Sequence, residues 1–259
     1  MASFLNTIGV YRVYESILSR SIKKGEIPKH IAIILDGNRR WASSKSIERV
    51  IGHIEGANTA EELIEWCHEI GIRTITLYLL STENLNRSPD ELKELFELFA
   101  ERLNKILTDE RIIRFKVRVK AIGRLELVTP KMREILTQIE EKTAGYSEHF
   151  LNIAIAYGGR TEIVDSIRKI ALLVKEGKLA PEEIDQKTVE HSLYTSYLPN
   201  PDPDLVIRTS GEERLSGFLL WQSAYSELVF MDEYWPDFRK IDLMRAVRTY
   251  QRRSRRFGR

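Results

Sequence analysis

The side chains best suited to chemistry come directly after an apolar run at residues 30–35. They are an acid, an amide and two arginines, in the order Asp36, Gly37, Asn38, Arg39 and Arg40. A carboxylate is a ligand that Mg²⁺ takes from proteins, and guanidinium groups match phosphate oxygens. A helix that starts at such a turn presents free backbone N–H groups to an anion. The pattern predicts a site for a metal-bound diphosphate, with an ordinary capped turn as the alternative.

Two further segments carry polar side chains at the end of an apolar run. Residues 204–207 lead into Arg208, and Arg214 and Ser216 follow closely, so these three groups can converge on a second anion. Residues 78–80 lead into the polar turn at residues 81–87. The polar ends of parallel strands meet at one edge of a sheet, where open α/β folds bind their ligands. We therefore expect one cleft with two anion sites.

Alternating strands and helices must position these groups. The apolar runs predict strands at 30–35, 73–80, 115–121, 149–156, 203–208 and 227–231. Helical periodicity and capping signals predict helices at 3–23, 40–47, 55–70, 89–108, 130–144, 160–176, 187–194 and 239–254. This order is typical of a single α/β domain with a central, mainly parallel six-stranded sheet flanked by helices.

Composition restricts the class of protein. The chain has 259 residues, a formal net charge of +2 and one cysteine. It is long enough to bury one large core, and its balanced charge gives no overall attraction to nucleic acid. The single cysteine, Cys67, excludes an intrachain disulfide and lies among apolar neighbours, which predicts a core thiol in a reducing compartment. No apolar run reaches transmembrane length, so we expect a soluble, cytoplasmic protein.

In these three segments and several others the chain resembles the cis-prenyltransferase family, also called the undecaprenyl diphosphate or Z-type isoprenyl diphosphate synthases. The matching blocks are residues 36–41, Arg49 and His53, and residues 81–87, 157–160, 208–216, 221–228, 235–238 and 255–258. The resemblance implies a catalytic domain at 28–259, preceded by an N-terminal helical extension at 1–27. It also implies a hydrophobic tunnel between the sheet and the helices, walled by the helix at 89–108.

The family joins isopentenyl diphosphate to an allylic diphosphate with the help of Mg²⁺, forms a Z double bond and releases pyrophosphate. The resemblance implies that Asp36 and Asn84 are catalytic and that Asp36 and Glu227 bind the metal. It implies that substrate is bound by Gly37, Asn38, Arg39, Arg40, Trp41, Arg49, His53, Ser81, Thr82, Glu83, Leu85, Arg87, Arg208, Arg214, Leu215 and Ser216. A neutral amide is a weak base, so either Asn84 or a diphosphate oxygen takes the proton.

The resemblance further implies a polyprenyl diphosphate product, made from geranylgeranyl or farnesyl diphosphate and used as a lipid carrier for glycan synthesis. Leu85, Arg39 and Glu213 stand where common bacterial members carry tryptophan, glycine and histidine. These departures favour the archaeal and eukaryotic branch. Family members dimerise, and the apolar segment at 221–230, with Trp235 and Phe238, predicts the surface of a homodimer.

The N-terminal extension combines apolar and basic side chains at helical spacing, which suits packing on the protein or peripheral contact with a membrane. Two alternatives remain within the superfamily: a catalytically silent partner subunit and a short-chain or irregular prenyl synthase. A nucleic-acid-binding module is disfavoured because the arginine-rich C-terminus lacks interleaved aromatic residues. A trans-type synthase is disfavoured because the chain has no Asp-Asp-x-x-Asp motif.

Overall fold

The computed structural model describes residues 13–253 and is built on a six-stranded sheet in the order β3-β4-β2-β1-β5-β6. Every neighbouring pair of strands is parallel, which confirms the predicted fold class. The strands are β1 His30–Ile34, β2 Thr74–Ser81, β3 Val117–Ile122, β4 His149–Tyr157, β5 Leu205–Arg208 and β6 Glu227–Phe230. All six predicted strands agree with the observed ones within two residues at each end.

Helices cover both faces of the sheet. They are α1 at residues 13–22, α2 Asn38–Ser44, α3 Arg49–Ile70, α4 Pro89–Ile106, α5 Glu110–Arg114, α6 Pro130–Thr143, α7 Gly159–Lys175, α8 Gln186–Ser192 and α9 Lys240–Arg252. Helix α4 begins where its sequence predicts, because the Ser88 side chain caps it and Pro89 occupies its first turn. Two predictions were wrong: α3 begins at Arg49 rather than at residue 55, and the short helix α5 was missed.

The side chains of β1 alternate between two apolar cores. Ile31 and Ile33 pack into the larger core, on the face covered by α3, α4, α6 and α9. Ala32 and Ile34 pack into the smaller core on the opposite face. A strand buried on both faces carries polar groups only beyond its end, so the chemistry of β1 is concentrated at its carboxyl edge.

The described part of the N-terminal extension packs on the protein. Leu18 and Ile22 of α1 are fully buried, and the Gln251 side chain donates a hydrogen bond to the Ile22 carbonyl oxygen at 2.7 Å. Val13 and Ile17 are exposed on the other side of the helix. The predicted helical residues 3–12 and the matching block at 255–258 lie outside the described residues. Within residues 13–253, no helix has the length and apolar character that crossing a bilayer requires.

A chain of buried hydrogen bonds crosses the sheet from Tyr197 to His30. The Tyr197 hydroxyl contacts Asn152 Oδ1, and Asn152 Nδ2 donates to Thr76 Oγ1 at 2.8 Å. His30 Nε2 lies 2.8 Å from the same hydroxyl, and its Nδ1 lies 2.9 Å from the Asn200 carbonyl oxygen. Since the carbonyl can only accept, Nδ1 carries the proton, and the Thr76 hydroxyl donates to Nε2. The network therefore fixes the neutral form of His30.

Acid is expected to destabilise the fold through His30. Burial lowers the pKa of His30 to about 4, whereas an unfolded histidine titrates near its usual value of 6.5. Between these values the unfolded chain binds the extra proton, so stability is lost as the pH falls. From pH 7 to pH 5, we expect His30 to reduce the free energy of unfolding by about 2 kcal/mol.

Urea unfolding at both pH values measures this loss. His30→Asn should be less stable at pH 7 but less sensitive to acid, since the titrating group is gone. His191→Asn removes an exposed histidine and serves as the control, with the wild-type pH dependence. Equal pH dependence of the wild type and His30→Asn would show that the pKa of His30 does not change on unfolding.

Candidate functional site at the carboxyl edge of the sheet

The ends of β1 and β5 bring the two predicted anion clusters together. Ile34 pairs with Arg208 in the sheet register, so Asp36 lies beside the Arg208 side chain. Arg208 Nη2 donates to Asp36 Oδ2 at 2.8 Å, and Arg208 Nη1 donates to Ser216 Oγ at 2.7 Å. Arg208 is buried, and its Nε has no hydrogen-bond partner among the described residues. A single guanidinium thus connects the acid of the first cluster with the serine of the second.

Asp36 is held from both its backbone and its side chain. Its carbonyl oxygen accepts hydrogen bonds from the Trp235 backbone N–H at 3.0 Å and from the Thr209 hydroxyl at 2.7 Å. Its second carboxylate oxygen lies 3.3 Å from Arg40 Nη2. Burial alone would raise the pKa of Asp36, but the hydrogen bonds and charges of Arg208 and Arg40 outweigh it and lower the pKa. The carboxylate is therefore ionised at neutral pH.

Glu212 joins the two clusters a second time. Its carboxylate lies 3.1 Å from Arg40 Nη1 and pairs with Arg214 on its other oxygen. Arg40 also donates to the Ser210 hydroxyl at 2.5 Å. The Arg214 carbonyl oxygen in turn accepts a hydrogen bond from Arg208 at 2.5 Å. Ion pairs thus link Asp36 and Glu212 with three arginines, and the hydrogen bond between Arg208 and the Arg214 carbonyl oxygen closes the ring.

Glycines allow the turn at residues 36–40 to pack closely against Tyr234 and helix α3. Gly37 has φ +107°, and a Cβ there would lie 2.7 Å from the Tyr234 ring. On α3, a Cβ at Gly52 would lie 2.2 Å from the Asn38 carbonyl oxygen, and one at Gly56 would lie 2.3 Å from Asn38 Oδ1. Helix α3 therefore packs directly on the start of α2. This contact explains why α3 begins earlier than its apolar pattern predicts.

A second group of arginines surrounds one buried carboxylate. Glu91, in the first turn of α4, lies within 3.6 Å of guanidinium nitrogens of Arg39, Arg49 and Arg87. His53 lies nearby on α3, and its Nε2 is buried without a hydrogen-bond partner among the described residues. Burial, helped by the charge of Arg87, lowers the pKa of His53 to about 4. At neutral pH the uncharged ring can offer one N–H to an anion.

The turn after β2 holds Asn84 in a defined orientation. Its Oδ1 accepts a hydrogen bond from the Ser81 backbone N–H at 3.3 Å, and its own backbone N–H donates to Ser81 Oγ at 3.1 Å. The short 3₁₀ helix Glu83–Asn86 carries the residue. With the carbonyl end engaged, the amide N–H groups of Asn84 remain to face a ligand. The orientation suits a hydrogen-bond donor rather than a base.

A cavity of about 370 Å³ opens among these groups and runs between the sheet and helices α3 and α4. Of the predicted site residues, it is lined by Asp36, Asn38, Arg39, His53, Ser81, Asn84, Arg87, Arg208 and Ser216. Apolar side chains form much of the rest of its wall, among them Ile64, Leu77, Leu79, Leu95, Phe99, Leu103 and Ile106. Glu61, Arg102, Lys105 and Asp109 also line it, and Arg102 pairs with Glu61 at 2.9 Å. The cavity thus combines a polar mouth with a largely apolar wall that also carries a second group of charged residues.

The other predicted substrate-binding residues do not line the cavity. Trp41 is buried beneath Lys45, whose Nζ lies 3.9 Å from the Trp41 ring centre. The remaining ones are Gly37, Arg40, Arg49, Thr82, Glu83, Leu85, Arg214 and Leu215, of which Thr82 and Glu83 share a hydrogen bond at 3.2 Å. Five residues that shape the site were not predicted from the sequence: Gly52, Gly56, Glu91, Thr209 and Glu212. The glycine spacing at 52 and 56 was a usable signal for close helix packing.

The structure does not bring Glu227 to Asp36. Glu227 pairs with Leu205 at the start of β5, whereas Asp36 follows the opposite end of β1. Its carboxylate lies 3.0 Å from Arg253. A metal role for Glu227 therefore stays a prediction from the family resemblance.

The donor set at the mouth suits Mg²⁺ that arrives with a phosphate ligand. Among residues 13–253, no three His, Cys, Asp or Glu side chains cluster as a metal cage. Among the described residues that line the cavity at this edge, Asp36 is the one that offers an ionised carboxylate. Mg²⁺ is commonly bound by one or two carboxylates together with substrate phosphates and water. Asp36 fits that mode of binding.

Comparison with known proteins identifies relatives along nearly the whole chain. A family model described as "Putative undecaprenyl diphosphate synthase" matches residues 34–258. A geranylgeranyl-diphosphate-specific tritrans,polycis-undecaprenyl-diphosphate synthase of Methanopyrus kandleri is 53% identical over 96% of this chain and 92% of its own length. The synthase of the same name from Methanocaldococcus jannaschii is 51% identical over 98% and 91%. Lavandulyl diphosphate synthase from Lavandula x intermedia, crystallised with dimethylallyl diphosphate, superposes with a TM-score of 0.85 at 34% identity, covering 90% of this chain and 99% of that one.

Proposed function

Because the chain belongs to the undecaprenyl diphosphate synthase family of cis-prenyltransferases, and is a transferase that lengthens an allylic diphosphate by Z-type chain elongation, we propose geranylgeranyl or farnesyl diphosphate as its allylic substrate. The second substrate is isopentenyl diphosphate, and the product is a polyprenyl diphosphate that serves as a lipid carrier for glycan synthesis. The observation that carries this proposal is the apolar cavity that opens on two arginine clusters at one edge of the sheet.

Each cluster is suited to one diphosphate. Arg39, Arg40, Arg49 and His53, with Asn38 at the start of α2, surround the side of the mouth that adjoins the apolar cavity, which suits the allylic substrate. Arg208, Arg214 and Ser216 form the other side, which suits isopentenyl diphosphate. One guanidinium group can bind two phosphate oxygens at once. The arginines therefore orient the two diphosphates as well as attract them. Such orientation brings the two reacting carbons together and removes much of the entropic barrier.

The chemistry requires the allylic C–O bond to break while a new carbon–carbon bond forms to the isopentenyl carbon. The electron pair of the broken bond leaves with the diphosphate, and the arginines at the mouth stabilise that charge where it develops. Asp36 would hold Mg²⁺ at this edge, and the bound metal would supply further stabilisation of the charge on the leaving group. Loss of a proton from the isopentenyl unit then creates the new double bond. Asn84 donates a hydrogen bond to the diphosphate, and a diphosphate oxygen accepts the proton.

The chain is further proposed to act as a cytoplasmic homodimer with peripheral access to a membrane. Two residues of the predicted dimer surface need correction, because Trp235 and Phe238 are buried in the core of their own chain. The segment 221–230, in which Tyr225 is exposed, stays a candidate surface, and exposed apolar side chains on α7, among them Val164, Ile167 and Leu172, supply a further one. The exposed Val13 and Ile17 of α1 suit contact with a lipid surface.

Mass analysis of products from a panel of allylic diphosphates tests the proposed function. Dimethylallyl, geranyl, farnesyl and geranylgeranyl diphosphates are each incubated with isopentenyl diphosphate and Mg²⁺. We expect long-chain polyprenyl diphosphate from the longer two substrates. A product built only from dimethylallyl units, without an isopentenyl unit, would indicate an irregular synthase. The absence of pyrophosphate release with every substrate would indicate a silent subunit.

Product length should respond to the volume of Leu79. This side chain is half-buried on the cavity wall, and a register shift between Tyr78 and Leu80 lets Leu80 line the cavity too. Leu79→Ala widens the path of the growing chain, so we expect longer products with an unchanged requirement for Mg²⁺. The stability cost should stay below the roughly 2–5 kcal/mol of a fully buried leucine. Product mass spectra check this result, with the exposed Leu127→Ala as control; an unaltered or shorter distribution would contradict it.

A further inference from the structure

We propose that His68 and His149 form a binding site for one zinc ion, at the edge of the sheet opposite the polar mouth of the cavity. His68 lies in the last turn of α3, and His149 is the first residue of β4. Their ring nitrogens His68 Nδ1 and His149 Nε2 lie 3.5 Å apart. Asp36 and Arg208 lie at the other ends of the strands, so the inference does not depend on the function proposed for that edge.

The separation of the two nitrogens suits a tetrahedral metal ion. A strong hydrogen bond from an N–H donor spans about 3 Å. Two imidazoles on one zinc ion, with Zn–N bonds of about 2.0–2.1 Å and a tetrahedral angle between them, place their nitrogens about 3.3–3.4 Å apart. Bonds of the same length at a right angle, as in an octahedral or square-planar ion, would place them about 3.0 Å apart. The observed 3.5 Å is closest to the spacing that zinc requires.

Phe115 orients both rings of the pair. His149 Nδ1 lies 2.8 Å from the Phe115 carbonyl oxygen. Since the carbonyl can only accept, Nδ1 carries the proton and the lone pair of Nε2 is free to bind a metal. The His68 ring stacks on the Phe115 ring, with the ring centres 3.7 Å apart and the planes inclined by 15°. Zinc-bound histidines usually donate their other N–H to a carbonyl or carboxylate, so this pair is already arranged as a ligand set.

Water supplies the remaining ligands. Within residues 13–253, no third His, Cys, Asp or Glu side chain joins the two histidines in a metal cage. Cys67 precedes His68 but is buried, and burial raises the pKa of its thiol, so it supplies no thiolate. His68 is exposed and His149 is half-buried, so an ion in solution reaches both nitrogens. Two imidazoles and two waters make an open, exchangeable site.

The charges around the pair tolerate a cation. Lys116 Nζ lies 2.8 Å from a carboxylate oxygen of Glu148, and Arg114 lies 3.2 Å from Glu65. Arg73 lines the small pocket beside the histidines, and its charge acts on the same Glu148 carboxylate. Each basic group near the site therefore has an acidic neighbour. A bound zinc ion would join the end of α3 to the start of β4 and so stabilise the folded chain.

Calorimetric titration with zinc chloride, in excess Mg²⁺ and with no affinity tag on the protein, tests the inference. Mg²⁺ prefers oxygen ligands, so it occupies carboxylate sites and leaves imidazoles to zinc. The wild type should bind one zinc ion, and His68→Asn should weaken that binding by at least about tenfold. His191→Asn removes an exposed histidine of α8 and should bind zinc like the wild type. His149→Asn removes the second ligand and is the test variant if His68→Asn does not fold.

Thermal melts supply an independent readout. Zinc at ten times its wild-type Kd should raise the Tm of the wild type by about 3–5 °C. The same concentration should raise the Tm of His68→Asn by only about 1 °C, because the weaker site is then half-occupied. With Mg²⁺ alone, kcat of His68→Asn should equal that of the wild type. No zinc binding by the wild type, or equal zinc affinity in the wild type and the His68 and His149 variants, would overturn the inference.

Discussion

Replacement of Asp36 by asparagine is expected to lower kcat by at least about 10²-fold at saturating substrates and Mg²⁺. The substitution keeps the size of the side chain and removes its charge. It therefore takes away the one ionised carboxylate of the cavity wall that can hold Mg²⁺ at this edge of the sheet. It also leaves Arg208 and Arg40 without the carboxylate that lies 2.8 Å and 3.3 Å from them. Pyrophosphate release, measured over a range of Mg²⁺ concentrations, checks the result.

The same variant should lose some stability, because buried Arg208 no longer faces an anion. Since 29% of the Asp36 side chain is exposed, we expect less than the roughly 3–5 kcal/mol that breaking a fully buried pair costs. Glu148→Gln is the control, as it removes a carboxylate from a surface pair with Lys116. A folded Asp36→Asn protein with near-normal kcat would show that this carboxylate does not take part in the reaction.

Replacement of Gly52 by alanine is expected to reduce kcat/KM for the allylic diphosphate by about 10²-fold, although Gly52 contacts no substrate. The new Cβ would lie 2.2 Å from the Asn38 carbonyl oxygen, a backbone atom that cannot move alone. Helices α2 and α3 must separate, and this displaces Asn38 and Arg39 relative to Arg49 and His53. Overpacking of this kind also costs about 1–3 kcal/mol of stability.

Kinetics with each substrate and a thermal melt measure both effects. Gly145→Ala provides the matched control, because a Cβ at Gly145 would meet no heavy atom within 4 Å among the described residues and the position has no positive φ. Wild-type kinetics and stability in Gly52→Ala would show that the two helices tolerate separation. The site would then not depend on their close contact.

The sequence by itself determined the strands, the capped start of α4 and the edge of the sheet where the polar groups of the candidate site lie. These features follow from local rules. An apolar run such as residues 30–35 is buried in a parallel sheet, its polar groups come after its end, and Ser88-Pro89 starts a helix through its own backbone geometry. The resemblance in residues 36–41, 81–87 and 208–216 also indicated the family, because those motifs contain the groups that a diphosphate needs.

Only the tertiary structure decided which side chains share an environment. Glu91 looks like any first-turn acid of a helix until α2, α3 and the turn after β2 place three arginines on it. Trp235 and Phe238 look available for a partner until the core closes over them, and the sheet register places Glu227 at the opposite end of the strands from Asp36. The early start of α3 likewise depends on the contact of Gly52 and Gly56 with Asn38. Burial, charge pairing and register arise from residues distant in the chain, so local sequence patterns do not determine them.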